Sequence, residues 1–546
     1  MSLSFKNYTI LVADDSRLVT STITSLLKKL GCEQIHCAYK PLDVIAKCRQ
    51  NQFDLIICDY NFQSFINGFQ LLEELNHLKL LPSHTAFMFL TGENDLRVVR
   101  SIIDAEPDDY LLKPFKNQFF IDRLTNSIKR KLALLPIYDQ LIKHDYYGVI
   151  EACKECLETR PEYTKLIRKF KANALVRCKE YHSARTEYEQ MLNEDNFDWI
   201  KTALANTFIE TDDVNRAKEI LETVKSKDEN PYYHDEMSSI AALNNDLPQA
   251  IVHLKQSAML LDSGAERELV IANLSLANEN YGDAVTYMTR YYEKNKNTFR
   301  GSVFTQLNLV RSYLYKAKGI KNHSLFERQL HSLNPLIDEV RKRPSLEHVH
   351  RLIISHIALI RGDLKLAISE LKPVIQHIKS MHFYDIYHLG YLLEQCSYFN
   401  EVKQILPQCR IAMDENQHPS ILRSQTHMLL SFESRLQGVI EQIEALRKQI
   451  SDAVITPGDS EAMTQYIDLY FRLHELSPNS RKLCMAIVKF IAQSPFEYDG
   501  NYKIFDKIKE CHEVIVKLST EEELVEANYL IQYEAAKKNI SLVLTN

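Results

Sequence analysis

The first 130 residues alternate short apolar runs with helical patterns. Residues 8–13, 54–58, 86–90 and 110–112 are nearly continuous apolar runs, and a weaker strand fits 34–37. A helical pattern covers about 17–30. Strands that are apolar on both faces and separated by helices predict a parallel sheet covered on both sides. The predicted fold is a doubly wound α/β domain of strand order 2-1-3-4-5, followed by an all-α solenoid.

Beyond this domain the periodicity is helical, with a longer repeat laid over it. A small residue followed four positions later by a large one recurs at Ala184, Ala217, Ala250 and Ala284, with Ala152 ahead of them. The spacing is about 33 residues. Each alanine falls near the start of a second helix, where two helices must approach closely. The helices before them are predicted at 164–178, 198–210, 232–243 and 267–278. The signal returns at Ala367 and at Val402, with helical text at 302–317 and 324–343 between. This period resembles that of divergent tetratricopeptide (TPR) repeats. The family's usual tryptophan is missing, and the only Trp is Trp199. Past 430 the period fades. An amphipathic stretch is predicted at 432–453 and a break at Thr456-Pro457-Gly458. Helices follow at about 459–475, 479–493, 500–518 and 520–538, as a cap on the solenoid.

Composition narrows the class. A chain of 546 residues exceeds one hydrophobic core and implies several domains. Only 13 glycines and 16 prolines fit a mostly helical protein. Residues 1–131 carry 16 basic and 15 acidic side chains, against 66 and 72 in the whole chain, so the remainder is seven charges negative. That is the wrong sign for gripping a phosphate backbone. No apolar run reaches the length of a membrane span, and the first residues lack a signal-peptide pattern. Eleven scattered cysteines argue against a disulfide framework. Together these predict a cytoplasmic protein.

The polar residues of the N-terminal domain sit just past strand ends, where open α/β sheets bind ligands. Asp14, Asp15, Asp59, Thr91 and Lys113 would converge there. Three carboxylates at one point call for a hard cation, and Mg²⁺ suits such a site. Asp59 could then attack a phosphoryl donor, with Lys113 and the Thr91 hydroxyl neutralising the transferred oxygens.

On these residues the segment resembles a response-regulator receiver domain of the CheY kind. The motifs are the acidic pair Asp14-Asp15, then Asp59, Thr91-Gly92 and Lys113-Pro114-Phe115. The resemblance implies that Asp59 is the phosphoacceptor and that Asp14, Asp15, Asp59 and the Asn61 carbonyl hold Mg²⁺. It implies that Thr91 and Lys113 contact the phosphoryl group and that Tyr110 is the switch aromatic. Asn61 and Glu93 occupy the positions that tune phosphoryl lifetime, and Lys113-Pro114 matches a bond usually cis. Two features depart from the family. The loop Tyr60–Gly68 lacks the usual proline and is longer than usual by one residue, and Glu106-Pro107 replaces a small pair.

Other motifs carry less. Glu444-Ala445-Leu446 lies in helical text without a barrel around it. Cys153 and Cys156 share a helix face but lack a second ligand pair, so packing explains them better than zinc. His348 and His350 fall on different faces of a helix. Tyr232-Tyr233 and Tyr291-Tyr292 read as repeat core and turn residues.

The boundaries expected are a receiver at 1–131, a short linker at 132–137 and TPR-like repeats at 138–300. Divergent repeats follow at 301–430 and a helical end at 431–546. The function expected is that of a two-component response regulator. Its partners would be a histidine kinase and a protein or peptide in the repeat groove, with a homodimer through the receiver. No enzyme activity is expected beyond phosphoryl acceptance and self-dephosphorylation. The layout is similar to VieB-type proteins, which suggests a cyclic-di-GMP phosphodiesterase as target. A transcription regulator without a basic DNA-binding motif, and a constitutive scaffold or phosphate sink, are the alternatives.

Overall fold

A computed structural model describes residues 5–262, 264, 266–318, 323–415, 417–453, 459–493, 495 and 497–544. The chain divides into two compact units, Met1–Ile271 with Arg290–Ser302, and Ala272–Thr289 with Val303–Asn546.

The first unit opens with five strands, Thr9–Ala13 (β1), Gln34–Ala38 (β2), Leu55–Asp59 (β3), Ala86–Thr91 (β4) and Asp109–Leu112 (β5). They form one parallel sheet of order β2-β1-β3-β4-β5, as the apolar runs predict. The helices between are Arg17–Lys29 (α1), Pro41–Gln50 (α2), Gly68–His77 (α3), Leu96–Asp104 (α4) and Asn117–Ala133 (α5). Strand alternation splits the core into two layers. Ile10, Val12, Ile57 and Met88 pack with Ile23 and Leu27 of α1 and Phe120 and Leu124 of α5. Leu11, Ile56, Phe87 and Phe89 pack with Val44 of α2, Leu71 and Leu75 of α3 and Ile102 of α4.

The helical part follows almost without pause. Residues 132–137 carry the end of α5 and the start of Leu135–Ile142 (α6), with Leu134 and Ile137 fully buried. Consecutive helices then pack as pairs: α6 on Tyr146–Thr159 (α7), Thr164–Arg177 (α8) on Tyr181–Glu194 (α9), Asp198–Ile209 (α10) on Val214–Glu222 (α11), and Pro231–Leu243 (α12) on Leu247–Met259 (α13). The next two helices, Glu266–Ala277 (α14) and Tyr281–Asn295 (α15), have their residues divided between the units. Ala184, Ala217, Ala250 and Ala284 are each fully buried, so the repeat read from the sequence is a repeat of close helix contacts.

A second periodic feature escaped the sequence reading. Between the two helices of successive pairs one residue adopts positive φ: His144, Lys179, Asp212, Asn245 and Glu279. None is glycine, although the left-handed conformation costs an ordinary residue ~1–2 kcal/mol. The scarcity of glycine therefore does not mark an absence of tight turns.

The second unit continues with Val303–Lys316 (α16), His323–Arg341 (α17), Glu347–Ile360 (α18), Leu364–Ile375 (α19), Phe383–Gln395 (α20) and Phe399–Ile411 (α21). Ala367 and Val402 are buried like the alanines of the first unit, and the turns use Gly362 and Ser397 at positive φ. A buried ion pair, Arg311 with Asp385, joins α16 to α20.

Two expectations are corrected at the C-terminal end. The stretch expected at 432–453 belongs to a longer helix, Pro419–Asp452 (α22), opened by a proline in its first turn, where no N–H is needed. The helix expected at 520–538 is two, Glu521–Glu526 (α26) and Tyr529–Leu544 (α27), broken at Asn528 with φ +49°. Between these lie Ser460–Leu476 (α23), Arg481–Gln493 (α24) and Ile504–Leu518 (α25). The predicted break at 456–458 lies outside the described residues. Among the described residues no helix is long and apolar enough to cross a membrane.

Candidate functional site

The sheet register sets the site. Ala13 lies beside Cys58, Asp59 beside Leu90, and Thr91 beside Leu112, so β1, β3, β4 and β5 end nearly level. The next residue, or the last of the strand, is then Asp14, Asp59, Thr91 or Lys113.

Carboxylate oxygens of Asp14, Asp15 and Asp59 all lie within 4.8 Å of one another. Asp14 is 2% exposed and Asp59 7%. Lys113 Nζ donates to Asp14 Oδ2 at 2.6 Å and to Asp59 Oδ1 at 2.9 Å. Three carboxylates and one ammonium leave two formal negative charges, and every donor is a hard oxygen. This set fits a divalent ion of the Mg²⁺ class.

Electrostatics follow from burial. Burial pushes the Asp59 carboxyl up to about 6; the bond and charge of Lys113 oppose this, and Asp14 and Asp15 add to it. For Lys113, burial disfavours the ammonium, but its bonds to Asp14 and Asp59 outweigh that and hold it above the ordinary lysine range.

The remaining predicted residues surround this centre. Thr91 is buried and its hydroxyl oxygen accepts from the Glu93 N–H at 3.0 Å. Asn61 Nδ2 donates to Glu93 Oε1 at 3.4 Å, so the two positions expected to tune phosphoryl lifetime meet across the site. The Tyr110 ring is half-buried against the α2–α4 layer of the core. The Lys113-Pro114 bond is cis.

Gly68 went unremarked in the sequence, yet the site depends on it. A Cβ there would lie 2.7 Å from the Asp59 carbonyl oxygen and 2.8 Å from Phe89 Cε1. Only glycine lets α3 begin this close to β3. An isolated glycine at a helix start was the available signal.

The sequence also missed a second surface, where the helices flanking the sheet meet the helical part of the same unit. Along α3, Gln70 Nε2 donates to the Lys294 carbonyl at 2.7 Å, and Glu73 takes two bonds from Arg300 at 2.7 and 2.8 Å. Glu74 accepts the Phe299 N–H, and the His77 ring stacks on Phe299 at 4.0 Å. Along α4, Arg100 pairs with Glu229, Ser101 Oγ accepts the Asp262 N–H at 2.9 Å, and Asp104 accepts the Tyr232 hydroxyl at 2.5 Å. Tyr232 is thus a docking residue rather than a repeat turn. Just past α4, Glu106 pairs with Lys169 at 2.6 Å.

Comparison with known proteins agrees with this geometry. Residues 10–125 match the family model described as "Response regulator receiver domain". This segment is a receiver domain. The chain is 28% identical over 124 residues to Transcriptional regulatory protein ZraR of Salmonella typhimurium, which covers 23% of this chain and 26% of ZraR. It is 28% identical over 125 residues to Regulatory protein VanRB of Enterococcus faecalis, covering 23% of this chain and 54% of VanRB. The chain thus spans about a quarter to a half of these relatives. Among solved structures it is similar to the signal receiver domain of an HD domain-containing protein from Pseudomonas fluorescens Pf-5. The identity there is 22%, over 24% of this chain and 95% of that one, with a TM-score of 0.22. It is similar to the BeF3-activated DrrB receiver domain at 20% identity, over 22% and 98%, with a TM-score of 0.20.

Proposed function

We propose that this protein is a two-component response regulator that takes a phosphoryl group from a histidine kinase onto Asp59 and uses its helical repeats, of TPR type, to bind a protein ligand. The observation that carries the reading is the buried carboxylate cluster at the strand ends, with Lys113 bridging Asp14 and Asp59. An Asp59 oxygen forms the new O–P bond as the N–P bond of the phosphohistidine breaks. Lys113 Nζ, already on Asp59, stays against the charge that develops, and the Thr91 hydroxyl turns from the Glu93 N–H to donate to a phosphoryl oxygen. Asp14, Asp15, Asp59 and the Asn61 carbonyl would hold Mg²⁺, which supplies the remaining positive charge. Asn61 and Glu93 flank the path by which water reaches the acyl phosphate.

The division we propose is a receiver at 1–131, TPR-like repeats at 138–300 and 301–430, and a helical end at 431–546. Gating of the repeats by the receiver is supported by the contacts of α3 and α4. A shift of α4 driven through Thr91 and Tyr110 must strain the bonds of Ser101 and Asp104 to the repeats. A VieB-type role acting on a cyclic-di-GMP phosphodiesterase remains the target class we favour.

The test is incubation with acetyl phosphate and Mg²⁺, followed by intact-mass measurement. One phosphoryl adduct is expected on the wild type and none on Asp59→Asn. An adduct of equal yield on Asp59→Asn would overturn the reading. Hydrogen exchange with and without beryllofluoride then reads the gating: faster exchange in α4 and in 226–236 is expected, and no change there removes it.

A further inference from the structure

The second unit holds a cluster that the signalling reading does not use. His474 from α23, Cys484 from α24 and Cys511 from α25 place one ring nitrogen and two sulfurs within 4.8 Å of one another. Both cysteines are fully buried and His474 is 3% exposed. The cysteines are free thiols, not a disulfide. The surroundings are apolar, with Phe471, Ile487, Val488, Ile508 and Ile515 in the same core.

His474 is the anomaly. Neither ring nitrogen has a hydrogen-bond partner of ordinary geometry, and the polar group against the ring is the Cys484 thiol. A neutral imidazole carries one donor and one acceptor, and each buried polar atom left unpaired costs ~1–3 kcal/mol. An apolar side chain would pack there without that cost. A metal on one ring nitrogen removes that cost there and leaves only the other N–H to be satisfied.

The donor set says which ligand. Two sulfurs and one imidazole are soft to borderline donors, unlike the all-oxygen cluster at Asp14, Asp15 and Asp59. Zinc binds thiolate at ~2.3 Å and imidazole at ~2.0 Å, so its tetrahedral ligands lie within about 4 Å of one another. The observed spread needs only a small contraction. Charge points the same way. Two thiolates, a neutral imidazole and Zn²⁺ sum to zero, which suits a dry core, whereas a monovalent soft ion would leave one negative charge buried.

We propose that His474, Cys484 and Cys511 form a zinc site that ties α23, α24 and α25 together near the end of the chain. Binding releases two thiol protons to solvent and forms two Zn–S bonds and one Zn–N bond, with no redox change. Three protein ligands leave one coordination position open. The ligands come from three separate helices, spaced 10 and 27 residues apart, so no short motif announces the site. The pair Cys153 and Cys156, which does look like half a zinc motif, lies buried on α7 and gathers no such histidine among the described residues.

The experiment uses the full chain, kept reduced and in excess Mg²⁺ so that the oxygen site is filled. Zinc is measured by elemental analysis after a chelator wash and after titration with ZnCl₂. About one tightly held zinc per chain is expected. It should be lost in Cys484→Ser and in His474→Gln, and retained in Cys153→Ser. Cobalt substitution should give thiolate-to-cobalt charge-transfer bands in the wild type. A measurement without substitution guards against misfolded variants: metal removal should speed alkylation of Cys484 and Cys511 in the wild type, where burial alone predicts no change. Absence of zinc binding on titration, zinc retained undiminished in Cys484→Ser, or a Cys484–Cys511 disulfide in freshly isolated metal-free protein would each overturn the proposal.

Discussion

Arg300→Ala tests whether the receiver is held by the repeats. Arg300 bonds Glu73 of α3 through both terminal nitrogens and also reaches Glu266 at 2.7 Å. The three side chains are 20%, 25% and 19% exposed. Burial raises the Glu73 carboxyl, and Arg300 opposes that rise. Breaking a fully buried pair costs ~3–5 kcal/mol, and exposed pairs are worth ~0–1 kcal/mol. A pair with about a fifth of its surface wet falls between, at about 2 kcal/mol. That shifts the docked–undocked equilibrium about thirtyfold. If the docked form opposes activation, linkage passes the same free energy to the phosphoryl site. Beryllofluoride affinity should then rise, by at most about thirtyfold, and amide exchange across α3 should speed up. Titration calorimetry and hydrogen exchange read the two effects. Unchanged exchange in α3 together with unchanged beryllofluoride affinity would refute the coupling.

Three further outcomes are expected. Asp59 is raised to about 6 by burial, above the unfolded value of ~3.9, so its ionisation costs the metal-free fold stability that returns as pH falls from about 6 towards 4. Mg²⁺ affinity should be flat well above pH 6 and fall about tenfold per pH unit below it; calorimetry showing no pH dependence would refute this. Gly68→Ala forces a Cβ to 2.7 Å from the Asp59 carbonyl. It should cost the receiver ~1–3 kcal/mol in urea denaturation and weaken Mg²⁺ binding. Lys179→Gly relieves the positive φ of +62° at an exposed turn. Offset by the freer unfolded chain, it should stabilise the first unit by up to about 1 kcal/mol, and a loss of stability would count against the turn argument.

What the sequence carried was short-range. The apolar runs placed four of the five strands, because a strand covered on both faces leaves no room for polar residues except at its ends; the half-buried edge strand β2 gave only the weaker signal at 34–37. Those ends then exposed Asp14, Asp59, Thr91 and Lys113 as candidate chemistry. The recurring alanines located the helix pairs, because close helix approach excludes larger side chains; Ala184, Ala217, Ala250 and Ala284 are all at 0% exposure. The same local pattern held a missed signal in α22, where Ile421, Met428 and Leu429 continue the stripe of Phe432, Leu436 and Ile440.

Other features were decided only in three dimensions. The space beside Gly68 of α3 is set by Asp59 and Phe89, which come from the strands β3 and β4. The contacts of Glu73 with Arg300 and of Asp104 with Tyr232 join residues 227 and 128 positions apart. His474, Cys484 and Cys511 meet because α23, α24 and α25 pack, not because of their spacing. Periodicity encodes which face of an element is buried. It does not encode which distant face that element meets, since many apolar surfaces would satisfy the same stripe. The polar groups caught between such faces are fixed only when the helices have packed.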